Sequence, residues 1–125
     1  MRVAMDANAL MMPVEVGVRL FDELDRLLGS YEAVVPAAVV AELEKLAESG
    51  GREGRAASVA RDLTGRCAVV PTREPYADDA LYELATTGEV DAVVTNDAPL
   101  RDRLLDAGVP VIHLRGRNKL TRTNP

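Results

Sequence analysis

Cysteine occurs once in the 125 residues, at Cys67. One thiol cannot close an internal disulfide, and it excludes a cysteine-rich zinc centre. Long apolar runs are missing too. The longest, Ala33 to Ala41, has nine residues and contains Pro36, well short of the ~20 that cross a bilayer. No membrane partner is expected. Asp6 interrupts any secretory apolar region near the start, so the expected location is cytoplasmic. Lysine is scarce: Lys45 and Lys119 stand beside thirteen arginines. Basic charge is short overall. Fifteen basic residues face twenty acidic ones, and the resulting −5 by itself argues against a nucleic-acid partner.

What is present is ordinary for one compact domain: 47% apolar and 28% charged residues, which excludes a disordered chain. The charge is unevenly spread. His113 to Pro125 carries Arg115, Arg117, Lys119 and Arg122 and no acid, so the −5 is −9 before this stretch and +4 within it. Residues 1–115 read as the folded domain and 116–125 as a basic, flexible tail without periodicity.

Short apolar runs alternate with segments of helical period. Strands are expected at 2–5, 31–35, 67–70, 91–95 and 109–114. Helices are expected at 14–28, 36–48, 54–63, 78–87 and 98–107, most of them closed by a following glycine. Pro110 suggests an edge position for the fifth strand. Val-rich strands without polar alternation, separated by helices, indicate an α/β domain with a parallel sheet.

In such a sheet, ligands bind beyond the carboxyl ends of the strands. Asp6 ends strand one, and Asp97 follows strand four in Thr95-Asn96-Asp97. Asp78 and Asp79 open the helix after strand three. Glu42 and Glu44 lie in the first turns of the helix after strand two. Each has a plainer role open to it. Asp6 can shape a turn, Asp78, Asp79 and Asp97 can cap helices, and Glu42 can face solvent. Their joint arrival at one sheet edge is the informative feature. Clustered carboxylates resist joint ionisation unless a cation screens them. Oxygen ligands without a partner His or Cys suit Mg²⁺ or Mn²⁺ and phosphoryl chemistry, not zinc. Helix geometry leaves Glu42 and Glu44 equally placed, at the two margins of the apolar stripe.

Four segments in order resemble the PIN domain nucleases: Asp6-Ala7-Asn8, Val35-Pro36 through Glu42-Leu43, Ala77-Asp78-Asp79-Ala80-Leu81, and Val93-Val94-Thr95-Asn96-Asp97. Val109 to Arg115 is similar to the ending of archaeal members. The resemblance implies a Rossmann-like three-layer α/β/α sandwich with a five-stranded parallel sheet. It implies a Mg²⁺- or Mn²⁺-dependent endoribonuclease cutting single-stranded RNA, either a toxin with a cognate antitoxin or an RNA-processing enzyme with a ribosome-processing partner. It implies that Asp6, Glu42, Asp79 and Asp97 bind metal, with Asp78 able to replace Asp79, and that Asn8 and Thr95 support the first and fourth acids. It also implies a homodimer, with part of the Val14, Val18, Phe21, Leu28 stripe as a seam. An inactive RNA-binding or assembly module is the alternative, but it has no need of the acidic quartet.

Two other enzyme classes fail on placement. A haloacid-dehalogenase-type phosphatase needs an acid where Asn8 stands. A phosphoacceptor receiver needs one where Pro71-Thr72 stands. Arg115, Arg117, Lys119 and Arg122 are the candidate RNA contacts, each able to neutralise a phosphate. Arg52 and Arg55 are weaker candidates. Tyr31, Tyr76 and Tyr82 can stack on bases but read as packing residues. Cys67 reads as a buried apolar filler.

Overall fold

The computed structural model describes residues 1–125. Its elements are β1 (Arg2–Met5), α1 (Ala7–Glu15), α2 (Leu20–Leu28), β2 (Glu32–Pro36), α3 (Ala37–Ala47), α4 (Gly51–Leu63), β3 (Ala68–Val70), α5 (Ala77–Thr86), β4 (Ala92–Val94), α6 (Ala98–Asp106), β5 (Val111–Arg115) and β6 (Lys119–Thr123). The sheet runs β3-β2-β1-β4-β5-β6. The first five strands are parallel, and β6 returns antiparallel to β5. Helices cover the sheet in a three-layer α/β arrangement. No helix is long and apolar enough to cross a membrane.

The central strand β1 is apolar throughout its inner part because both faces are covered: Val3, Ala4 and Met5 are completely buried. The same holds for Ala92, Val93 and Val94 in β4. β3 departs from this pattern, since it lies at the sheet edge and leaves Val69 exposed.

Three expectations need correction. The single helix expected over 14–28 is two helices. Gly17 sits at φ +71° between them, a conformation a helix cannot continue through. The first of them begins at Ala7, directly after Asp6. The apolar stripe is core: Val18 and Phe21 are buried and Leu28 partly so.

The fifth strand is not an edge. Pro110 stands just outside it and spends only its carbonyl, which accepts from Val93 N at 3.3 Å. The flexible tail is instead largely the sixth strand. Leu120 is 2% exposed, and this one apolar residue anchors an otherwise polar segment against the core.

α2 fastens β6 in place. Leu120 N donates to Glu23 Oε1 at 2.9 Å, and Arg26 Nη2 donates to Leu120 O at 2.9 Å. The two side chains thus supply a donor and an acceptor as a neighbouring strand would, which protects the open edge. Arg26 also bonds Glu23 directly, which completes the clasp. These hydrogen bonds, Arg26 first, lower the Glu23 pKa to about 2.

Candidate active site

Strand order reverses between β1 and β4: β2 and β3 continue on one side, β5 on the other. A crevice opens beyond the carboxyl ends at such a divergence. Asp6 leaves β1 at this point, and its backbone N–H donates to Val94 O at 3.0 Å. Asp6 is 4% exposed and Thr95 is fully buried; Thr64 is the one other buried polar residue.

The Asp6 carboxylate accepts three hydrogen bonds. Oδ1 accepts from Ala7 N at 2.7 Å, and so caps α1. Oδ2 accepts from Thr95 Oγ1 at 2.6 Å and from Asn8 Nδ2 at 3.1 Å. Thr95 Oγ1 in turn accepts from Asp97 N at 3.1 Å. A single hydroxyl therefore links the first acid to the backbone of the fourth. Asn8 works similarly, since its Oδ1 accepts from Asn96 N at 2.9 Å. Asn96 Oδ1 accepts from Leu114 N at 2.8 Å and ties the loop to β5. The structure thus places Asn8 and Thr95 against Asp6, and adds Asn96, whose role no local pattern announced.

Burial pushes the Asp6 carboxyl above the usual range. The hydrogen bonds from Thr95 and Ala7 oppose this, while the charges of Asp78 and Asp97 add to it. Glu42 and Asp78 lie at the surface and are also raised. In both, loss of hydration against neighbouring protein comes first. Then come Asp6 and Asp78 for Glu42, and Asp97 and Asp79 for Asp78, with Arg103 pulling Asp78 down. Asp97 occupies the N-cap position of α6, yet its side chain makes no capping bond, so its carboxylate stays available.

The acids that act on one another across the crevice are Asp6, Glu42, Asp78 and Asp97. Asp79, the expected third member, acts on Asp78 and also carries an ion pair. Arg103 Nη1 donates to Asp79 Oδ1 at 2.8 Å, and the guanidinium sits 4.0 Å from the centre of the Tyr82 ring. Successive residues of a helix point ~100° apart, so Asp78 and Asp79 cannot share one direction. No three Asp, Glu, His or Cys side chains stand close enough to share one ion. What fits a divalent cation is the donor chemistry: hard oxygens whose mutual repulsion a cation would relieve.

The hairpin carries the basic residues to the same edge. β5 is parallel to β1 and β4, so Arg115, Arg117 and Lys119 emerge at its carboxyl end, next to β4. Arg115 and Lys119 are cross-strand partners, and like charges directly opposite destabilise a ladder. None of the three is in an ion pair. With Arg26 they line an open cavity of about 420 Å³. Arg122 pairs with Ile112, farther from this edge, and donates to Asn124 Oδ1 at 2.9 Å.

A sequence profile of PIN-like domains matches residues 3–117. The chain belongs to the PIN-like domain family. Ribonuclease VapC4 of Methanocaldococcus jannaschii is 28% identical over 118 residues, which span 91% of this chain and 90% of that protein. The structure of the PIN domain endonuclease Utp24 superposes with a TM-score of 0.80 at 27% identity, over 99% of this chain and 92% of that one. A structure of VapBC2 from Rickettsia felis bound to promoter DNA is similar in fold alone, with a TM-score of 0.66 at 12% identity over 90% of this chain and 98% of that one. The PIN relatives named as enzymes are nucleases, and the acidic crevice lies where the PIN-like fold opens its sheet.

Proposed function

We propose that this PIN-like chain is a Mg²⁺- or Mn²⁺-dependent endoribonuclease acting on single-stranded RNA. The carrying observation is Asp6: a nearly buried carboxylate at the sheet's divergence point, raised in pKa by burial and by the charges of Asp78 and Asp97. Asp6, Glu42, Asp97 and, in preference to Asp79, Asp78 would hold the cation, one or two of them directly and the others through its bound waters. Once bound, such an ion polarises a phosphodiester, lowers the pKa of water and steadies the leaving oxygen. Asn8 and Thr95 keep Asp6 oriented. Asp97 accepts a hydrogen bond from the attacking water and aligns it with the phosphorus. Arg115, Arg117 and Lys119 bind flanking phosphates. The products are a 5′-phosphate and a 3′-hydroxyl.

The RNA substrate class rests on the ribonuclease relative, VapC4. The likeness to the Utp24 PIN domain endonuclease covers 99% of the chain, hairpin included, and supports cleavage within a strand, in a toxin with its antitoxin or in an RNA-processing enzyme alike. Single-stranded RNA incubated with Mg²⁺, Mn²⁺ or EDTA tests the enzyme. Cleavage is expected with either ion, and neither in EDTA nor in Asp6→Asn. RNA binding without cleavage under every condition would leave an RNA-binding or assembly module.

A further inference from the structure

We propose that Tyr76 is a stacking platform for an unpaired nucleobase of the RNA strand threaded across the acidic crevice. The assignment rests on the RNA reading above. The chain has one Phe, three Tyr and no Trp. Three of the four rings are occupied within the fold. Arg66 sits 4.0 Å over Phe21, and Arg103 4.0 Å over Tyr82. Tyr31 is partly buried, and its hydroxyl donates to Phe21 O at 3.4 Å. Tyr76 alone is open, 74% exposed. Packing therefore accounts for three rings and not for the fourth.

Its place in the fold gives the exposure meaning. Tyr76 is the N-cap residue of α5, with extended backbone and a carbonyl accepting from Ala80 N at 2.8 Å. Asp78 follows two residues later, so the two Cα atoms lie within ~7 Å. The loop before Tyr76 is pinned to α5: Arg73 N and Glu74 N both donate to Glu83 Oε1 at 3.0 Å. A fixed backbone lowers the ordering cost of binding a base. The sheet order runs from β3 and β2 through Asp6 and Asp97 to the basic hairpin. The edge thus offers an aromatic face beside Asp78 and unpaired cations at the hairpin. A strand crossing it would place a phosphate at the acids, a base on Tyr76 and further phosphates on Arg115, Arg117 and Lys119. Stacking needs a free base face, so the platform selects unpaired over duplex RNA.

The test is binding in EDTA, where cleavage does not intervene, with a short mixed-sequence single strand and its duplex. Tyr76→Ala is expected to weaken single-strand binding at least about fivefold, the low end for one stacked base. Duplex affinity and the salt slope stay unchanged, and Tyr76→Phe keeps wild-type affinity. Tyr76→Trp adds the chain's sole tryptophan; its emission should be quenched by the single strand and much less by the duplex. Undiminished single-strand binding by Tyr76→Ala, or a Trp emission unmoved by saturating single strand, overturns the platform. A wild type that binds no RNA overturns the RNA reading and Tyr76 with it.

Discussion

Asn8 grips Asp6 with one end of its amide and Asn96 with the other: Nδ2 donates to Asp6 Oδ2 at 3.1 Å, and Oδ1 accepts the Asn96 backbone N–H at 2.9 Å. These residues come from opposite sides of the sheet's divergence point, so one short side chain sets the spacing between the acidic loops after β1 and β4. Asn8→Ala deletes both bonds and strands a partly buried donor. It should cost roughly 1–3 kcal/mol in denaturant unfolding and depress RNA cleavage further than that loss of folded protein explains. An unchanged unfolding midpoint would show that the bridge carries no weight.

Asp78 and Asp79 should separate by function. Asp78→Asn removes an acid coupled to Asp97 and Glu42, and is expected to lower kcat by at least ~100-fold, since metal-site carboxylates act on the transition state. Asp79→Asn breaks the Arg103 ion pair, which is half exposed and worth at most ~1 kcal/mol. It should leave kcat within a few-fold. Equal loss in the two variants, at saturating Mn²⁺, would return Asp79 to the ligand set.

The acid cluster sets the sign of the pH response. Asp6, Glu42 and Asp78 are all raised, so the folded state holds protons more tightly than the unfolded chain. Stability of the metal-free protein therefore rises as pH falls from neutral through those raised values. Glu23 has the opposite sign. Lowered to about 2, it stabilises the fold above its unfolded value and fails only as pH falls toward 2. Melting temperatures in EDTA should be higher near pH 5 than near pH 7.5, and flatter in Asp6→Asn. Added Mn²⁺ should raise the melting temperature more at pH 7.5, where protons do not compete. A metal-free protein that weakens steadily on acidification over that interval contradicts this assignment.

Leu120 and the clasp decide whether the basic residues are presented at all. Leu120→Ala empties a core position and should cost about 2–5 kcal/mol. Glu23→Gln keeps an acceptor for Leu120 N but loses the charge facing Arg26, and should cost less. Hydrogen exchange at Leu120 reads the difference, with faster exchange expected in both variants. Protection equal to wild type in Glu23→Gln would remove the clasp from the account.

The hairpin cations act on affinity through salt. Replacing Arg115, Arg117 and Lys119 together by Gln should lower the slope of log K against log salt by up to ~2, at about 0.7 per phosphate for single strands. Arg122→Gln should leave it unchanged, because Arg122 lies away from the crevice edge. A slope insensitive to the triple replacement would mean that the RNA does not follow the hairpin.

The sequence by itself determined the parallel α/β order, the strand exits at Asp6 and Asp97, and the family. These follow from local periodicity, because an apolar run and the acid that ends it are neighbours in the chain. What the tertiary structure alone decided are long-range pairings that leave no periodic trace. Arg103 pairs with Asp79 across 24 positions. Glu23 meets Leu120 across 97 and turns an apparent tail into β6. Asn96 reaches Leu114 across 18. Composition placed few aromatics in the chain, but only the packed fold showed which ring remained free. The net charge of −5 averages over positions, while the fold brings acids and cations to one edge of the sheet.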